Sequence, residues 1–281
     1  MTESMIIVNT LEELFDARRS LDGPVGLVPT MGFLHAGHIS LVQQAKSECQ
    51  SVIVSIFVNP TQFGPREDLS SYPRDIERDL RLLAEAKVDL VWTPTPDVMY
   101  PPGYQTWVEV ETLTKTLEGA LRPGHFRGVT TIVSKLFNAT RPDKAYFGQK
   151  DAQQAAVLRQ MTRDLSYPLE IVVCPTRREA DGLAMSSRNT YLNLEQRQAA
   201  PVLHRALSAA KTAFDNGEKN AEKLREIVKA MLSTEPQAQL QYVSCADYDT
   251  LIELERVNGK ALISMAVLMG KTRLIDNIIL G

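Results

Sequence analysis

Two hydrophobic rhythms alternate along the first 175 residues. Residues 25–29 form a short apolar run, and 51–58 a longer β-branched one, Ser51-Val52-Ile53-Val54-Ser55-Ile56-Phe57-Val58. Such runs fit strands buried on both faces. Residues 88–92, 144–147 and 169–174 read the same way. Between them the period lengthens to that of a helix. Residues 39–49 are amphipathic, and 75–87 carry Ile76, Leu80, Leu83 and Ala84 on one stripe. Residues 128–141 and 151–165 are the next predicted helices. Repeated β-α-β units imply a parallel sheet with helices on both faces. Ligands of such sheets sit beyond the carboxyl ends of the strands.

Past Pro175 the rhythm changes. Thr176-Arg177-Arg178-Glu179 is polar. Helical patterns follow at 194–216 and 221–232, then strand-like runs at 239–245 and 261–268. Helices followed by strands suit a smaller α+β domain. The predicted division is 1–176 and 177–281.

Composition narrows the function. The chain has 281 residues, 44% of them hydrophobic and 23% charged, with net charge −3. These values are ordinary for a soluble globular protein, and the charge argues against a dedicated nucleic-acid surface. Cys49, Cys174 and Cys245 are scattered, which suggests a reducing compartment without a disulfide framework. No secretory leader or membrane-length apolar run is read, so the expected location is the cytoplasm.

The chemistry concentrates after the predicted strands. Pro29-Thr30-Met31-Gly32-Phe33-Leu34-His35-Ala36-Gly37-His38 joins a strand to a helix through a glycine-bearing turn. Free amides at a helix start favour an anion, and two imidazoles there can hold phosphate. A metal is the alternative for two histidines at i, i+3, but no Cys or acidic residue stands beside them. A pair that only caps the helix is the plainer reading. Asn59-Pro60-Thr61-Gln62-Phe63-Gly64 offers two amides that donate and accept. Arg122 and His125, in Arg122-Pro123-Gly124-His125, are anion-binding types before a helix. Gly148-Gln149-Lys150-Asp151 places a cation at a helix start, with Asp151 suited to cap it. Asp181-Gly182-Leu183-Ala184-Met185-Ser186-Ser187-Arg188-Asn189 combines hydroxyls and a guanidinium near a flexible turn, as a phosphate clamp would. Walker and dinucleotide glycine motifs are absent from the sequence.

Taken in order, these segments closely resemble the pantothenate synthetase (pantoate–β-alanine ligase) family, from about residue 5 to Thr272-Arg273-Leu274-Ile275-Asp276-Asn277. The family is similar to class I aminoacyl-tRNA synthetases, within the nucleotidyltransferase superfamily, and Met185-Ser186-Ser187-Arg188 looks like their Lys-Met-Ser-Lys-Ser loop. The resemblance implies an α/β fold with a Rossmann-like parallel sheet in a catalytic domain (1–176) that binds ATP and pantoate. The smaller α+β domain (177–281) would act as a lid. It implies ATP-dependent condensation of (R)-pantoate with β-alanine through a pantoyl adenylate, with Mg²⁺, in a cytoplasmic homodimer that binds neither nucleic acid nor membrane. By motif position, His35, His38 and Lys150 would be catalytic, with His38 a proton donor. Met31, Gly32, Phe33, Leu34, Ala36 and Gly37 would border ATP, as would Gly148, Gln149, Asp151, Arg177, Met185, Ser186, Ser187 and Arg188. Gln62, Gln154, Asn59, Arg122 and His125 would serve pantoate and β-alanine, and Asp79 would contact Mg²⁺. Gln149 stands where many members have Glu. Two other readings are another His-x-Gly-His adenylyltransferase and a catalytically silent nucleotide-binding module.

Overall fold

The computed structural model describes residues 5–65 and 67–281. The chain divides into two compact units, Met1–Gly148 with Val157–Cys174, and Gln149–Ala156 with Pro175–Gly281.

The first unit is organised by a six-stranded sheet. Its strands are β1 (Ile6–Val8), β2 (Val25–Thr30), β3 (Ser51–Ile56), β4 (Leu90–Trp92), β5 (Lys144–Gly148) and β6 (Glu170–Cys174). Their order is β1-β4-β3-β2-β5-β6, and every neighbouring pair is parallel. The helices are α1 (Leu11–Arg19), α2 (Ala36–Glu48), α3 (Ile76–Glu85), α4 (Pro96–Met99), α5 (Leu117–Leu121) and α6 (His125–Thr140). Helix α7 (Ala152–Asp164) begins in the short segment that belongs to the second unit. From β2 the chain builds outward through β3 and β4, then restarts at β5 on the other side. That reversal between β2 and β5 is the switch point where parallel sheets open a crevice. Thr30 and Gly148, the last residues of these strands, lie at the same edge. Leu27, Ile53, Val54, Leu90 and Trp92 are fully buried and form the centre of this unit.

The second unit contains α8 (Leu194–Ala199), α9 (Val202–Asp215) and α10 (Ala221–Leu232), then β7 (Ala238–Asp247), β8 (Ala261–Met269) and β9 (Thr272–Leu280). The strands pair antiparallel in the order β7-β8-β9. Leu203, Leu207, Leu224 and Val228 of the helices share a core with Ile263, Met265 and Val267 of β8.

Several elements differ from the sequence reading, among them the short helices α4 and α5, which it did not include. Residues 194–216 form two helices, because Pro201 has no amide to continue the first one. Strand β9 is an addition: Gly270, at φ +62°, closes a two-residue turn after β8, and the chain returns. Strand β1 and helix α1 are also additions at the start of the sheet. Among the described residues, no helix is long and apolar enough to cross a membrane.

Candidate active site

The turn after β2 is held from two sides. Gly32 has φ +78° and Phe33 has φ +50°. Both lie in the left-handed region, where a phenylalanine is strained. A carboxylate supports them: the amides of Phe33 and Leu34 both donate to Asp79, each at 2.7 Å. Asp79, on α3, is 1% exposed. Burial raises its pKa, and the two amides act against that rise. A Cβ on Gly32 would stand 3.1 Å from Asp79 Oδ2, so the turn and the carboxylate fit closely.

His35 then caps α2. Its Nδ1 accepts the amide of Gly37 at 3.1 Å, and Nδ1 of His38 accepts the amide of His35 at 3.3 Å. This is a capping box made of imidazoles. An Nδ1 that accepts carries no proton, so each neutral ring carries its proton on Nε2. The ring centroids are 4.0 Å apart. Capping and phosphate recognition are therefore compatible, since they use different nitrogens. Ala36 and Gly37 open the helix.

The loop after β3 forms a second cluster in the same unit. Pro60–Gln62 makes one 3₁₀ turn. Asn59 is 1% exposed. Its Nδ2 donates to Gln62 Oε1 and to the carbonyl of Gly128, each at 3.1 Å. Its Oδ1 accepts from Thr61 (2.9 Å) and Tyr100 (2.8 Å). Gln62 Nε2 reaches the Met31 sulfur at 3.0 Å, which joins this loop to the turn after β2. His125, at the start of α6, faces the Gln62 carbonyl through Nδ1 at 2.8 Å and Arg122 Nη1 through Nε2 at 3.1 Å. Arg122 pairs through two nitrogens with Glu67, each at 2.7 Å. A carbonyl needs a donor and a guanidinium needs an acceptor, so His125 is neutral with its proton on Nδ1. Burial pushes its pKa down to about 4, and the neighbouring Arg122 adds to that. The structure thus gives Asn59, Arg122 and His125 protein partners around Gln62.

In the second unit, Gln149–Asp151 forms a 3₁₀ turn. Lys150 Nζ lies 3.6 Å from Asp151 Oδ1. Gln154 follows on α7 and is half-buried. The polar loop closes on itself at its base. The Met185 amide donates to the Arg177 carbonyl at 3.0 Å, and Arg178 bridges to Ala184. Ser186 caps the 3₁₀ turn Ser187–Tyr191 by accepting the Arg188 amide at 3.3 Å. Gly148 ends β5 in the first unit.

Sequence reasoning did not single out Glu67, nor Asp276 and Asn277 beyond their place in the terminal motif. Asp276 accepts both ends of the Arg178 guanidinium, at 2.6 and 2.9 Å. Asn277 bonds to the turn that carries Lys150. A polar pair inside an apolar run, Leu274-Ile275-Asp276-Asn277-Ile278-Ile279, was the available signal. Among the described residues, no group of three His, Cys, Asp or Glu side chains could hold a metal ion.

A switched parallel sheet with a doubly capped, histidine-bearing helix start at its carboxyl edge defines an α/β protein whose sheet opens a crevice on that side, where folds of this class take their ligands. The particular family follows from comparison. The family described as pantoate-beta-alanine ligase matches residues 6–279. A pantothenate synthetase of Herpetosiphon aurantiacus is 60% identical over 277 residues, covering 98% of this chain and 100% of that protein. The crystal structure of pantothenate synthetase from Thermus thermophilus superposes with TM-score 0.94 at 47% identity, covering 98% and 99% of the two chains. That of the Francisella tularensis pantoate-beta-alanine ligase, complexed with beta-gamma ATP and beta-alanine, gives 0.81 at 36% identity, covering 98% of each. The chain belongs to the pantoate–β-alanine ligase family.

Proposed function

We propose that this chain joins (R)-pantoate to β-alanine in two steps driven by ATP. A pantoate carboxylate oxygen attacks the α-phosphorus; the bond to the bridging oxygen breaks and pyrophosphate leaves. The β-alanine amine then attacks the activated carbonyl; the bond to AMP breaks, and pantothenate forms as the amine loses its proton. The family match over residues 6–279 carries this reading.

The residues supply what adenylation needs, which is positioning and stabilisation of developing charge. His35 and His38 offer Nε2–H donors to the phosphates, and a proton held on His38 serves the leaving group. Lys150 neutralises the pentacoordinate phosphorus. Met31, Gly32, Phe33, Leu34, Ala36 and Gly37 would border the nucleotide, with Gly148, Gln149 and Asp151 and the Arg177 backbone. Met185, Ser186, Ser187 and Arg188 would clamp the phosphates, the second unit acting as a lid. Gln62 and Gln154 would hold pantoate, with Asn59, Arg122 and His125 keeping Gln62 in place. Mg²⁺ enters with ATP as part of the substrate, bound chiefly by phosphate oxygens, as that ion prefers. Asp79 is the only protein contact to it that the family resemblance suggests. The reading includes a cytoplasmic homodimer; the three cysteines, free and buried, suit a reducing compartment.

Labelled pyrophosphate tests the first step. Exchange into ATP should require pantoate, and AMP should accumulate only once β-alanine is added. Exchange that requires a nucleotide-like acceptor in place of pantoate, with AMP retained in the product, would point to another adenylyltransferase. No exchange at all would leave a nucleotide-binding module.

A further inference from the structure

Strand β9 buries two consecutive polar side chains, Asp276 at 2% exposure and Asn277 at 4%. Burying such groups destabilises a strand unless each finds its partners, and an apolar pair would hold the sheet at least as well. Their partners are the two segments of this unit that the proposed function assigns to phosphate. Asn277 Nδ2 donates to the carbonyl of Gln149 at 3.0 Å and to that of Lys150 at 2.9 Å. Asn277 Oδ1 accepts from Gln149 Nε2 at 3.0 Å. Fixing two successive carbonyls fixes the peptide planes on either side of the Lys150 Cα, and with them the direction in which its side chain leaves the backbone. Asp276, on the other side of the same peptide bond, holds Arg178 by both guanidinium ends. Arg178 Nη1 also donates to the Gly182 carbonyl at 3.1 Å, inside the loop that leads to Ser186, Ser187 and Arg188. The Asn277 amide donates to Asp276 Oδ1 at 2.8 Å, so the two anchors form one network.

We propose that Asp276 and Asn277 are positioning residues for adenylation: Asn277 aims Lys150, and Asp276 ties down the base of the phosphate-clamping loop. This rests on the reading that Lys150 acts on the α-phosphorus. Asparagine is specific for the task at 277, because two carbonyls require two donors from one side chain while Gln149 Nε2 requires an acceptor. Aspartate there would set a carboxylate against two carbonyl oxygens; serine would supply one donor at most.

The test is a cycle of Asn277→Asp, Asn277→Ser, Lys150→Ala and the Lys150→Ala/Asn277→Asp double variant, each with its melting temperature. Two rates are measured: pantoate-dependent pyrophosphate exchange, and the reaction of preformed pantoyl adenylate with β-alanine. Asn277→Asp should slow exchange by about tenfold or more, while the second step changes less than about threefold. In the Lys150→Ala background the added loss should be less than about twofold, because the aimed group is gone. Should Asn277→Asp not fold, Asn277→Ser, with the milder lesion, carries the comparison. Exchange kept in folded Asn277 variants, both steps falling equally, or independent losses in the double variant would each overturn the positioning role. Exchange kept in Lys150→Ala would overturn the Lys150 reading and this inference together; exchange lost there but kept in the Asn277 variants would overturn this inference alone.

Discussion

Asp79 commits both carboxylate oxygens to the backbone that precedes the histidine pair. An asparagine of the same shape keeps one acceptor and turns its amide nitrogen toward an N–H donor. The lost charge-assisted bond and the donor clash together cost on the order of 2 kcal/mol. Phe33 holds a left-handed conformation, and the two bonds to Asp79 offset that strain. Asp79→Asn should therefore lower kcat/KM for ATP by about tenfold or more. The midpoint of Mg²⁺ activation separates two roles for this carboxylate. It should stay unchanged if Asp79 acts only on the turn; a midpoint displaced by an order of magnitude would assign the oxygens to the metal. The sequence made the histidines, Lys150 and the serine–arginine loop legible, because they sit together in short motifs. It could not reveal that Asp79 serves residues 33 and 34, or Asn277 residues 149 and 150. Those bonds join positions distant in sequence, and no local pattern encodes them.

Elements were legible wherever burial is one-sided or complete over several residues. Strands β2, β3 and β6 and helix α10 fall close to their expected bounds. Strand β9 was hidden by its own chemistry: Asp276 and Asn277 interrupt the apolar pattern at the positions where they bond to Arg178 and to the Gln149–Asp151 turn. At α6 the decisive residue is a glycine. A Cβ on Gly128 would stand 2.5 Å from the Thr61 carbonyl oxygen and 2.7 Å from the Gln62 amide nitrogen. Backbone cannot swing aside as a long side chain can, so α6 and the Pro60–Gln62 turn would have to separate. The Asn59 bond to the Gly128 carbonyl would stretch with them. Gly128→Ala should destabilise the protein by about 1–3 kcal/mol, the usual range for overpacking. It should raise KM for pantoate more than KM for ATP, because the displaced residue is Gln62. Equal rises in both, measured by initial rates, would deny Gln62 a role specific to pantoate.

At the scale of the whole molecule, the sequence conveyed the change from alternating to segregated elements near Pro175. It did not convey that Gln149–Ala156 belongs with the second unit, since a contiguous reading has no means of assigning an eight-residue segment to a partner beyond the next strand. The fold also makes global stability depend on one imidazole. His125 is a neutral link between the Glu67–Arg122 pair and the Gln62 carbonyl. Its pKa is lowered to about 4, chiefly by burial, whereas a histidine in the unfolded chain titrates near ~6.5. Between these values the unfolded chain binds the extra proton and the folded chain does not. Stability linked to His125 is therefore complete above the unfolded value, and it is lost progressively as the pH falls toward the folded one. Protonation would also place an N–H on Nε2 facing the Arg122 guanidinium. His125→Gln keeps hydrogen-bonding capacity without a titrating group. Its melting temperature should fall less steeply between pH 6.5 and pH 4 than that of the unaltered protein, with the difference between the two narrowing as the pH drops. Parallel melting curves across that window would show that His125 takes up its proton without cost to the fold, and would remove the neutral link from the account of how Gln62 is held.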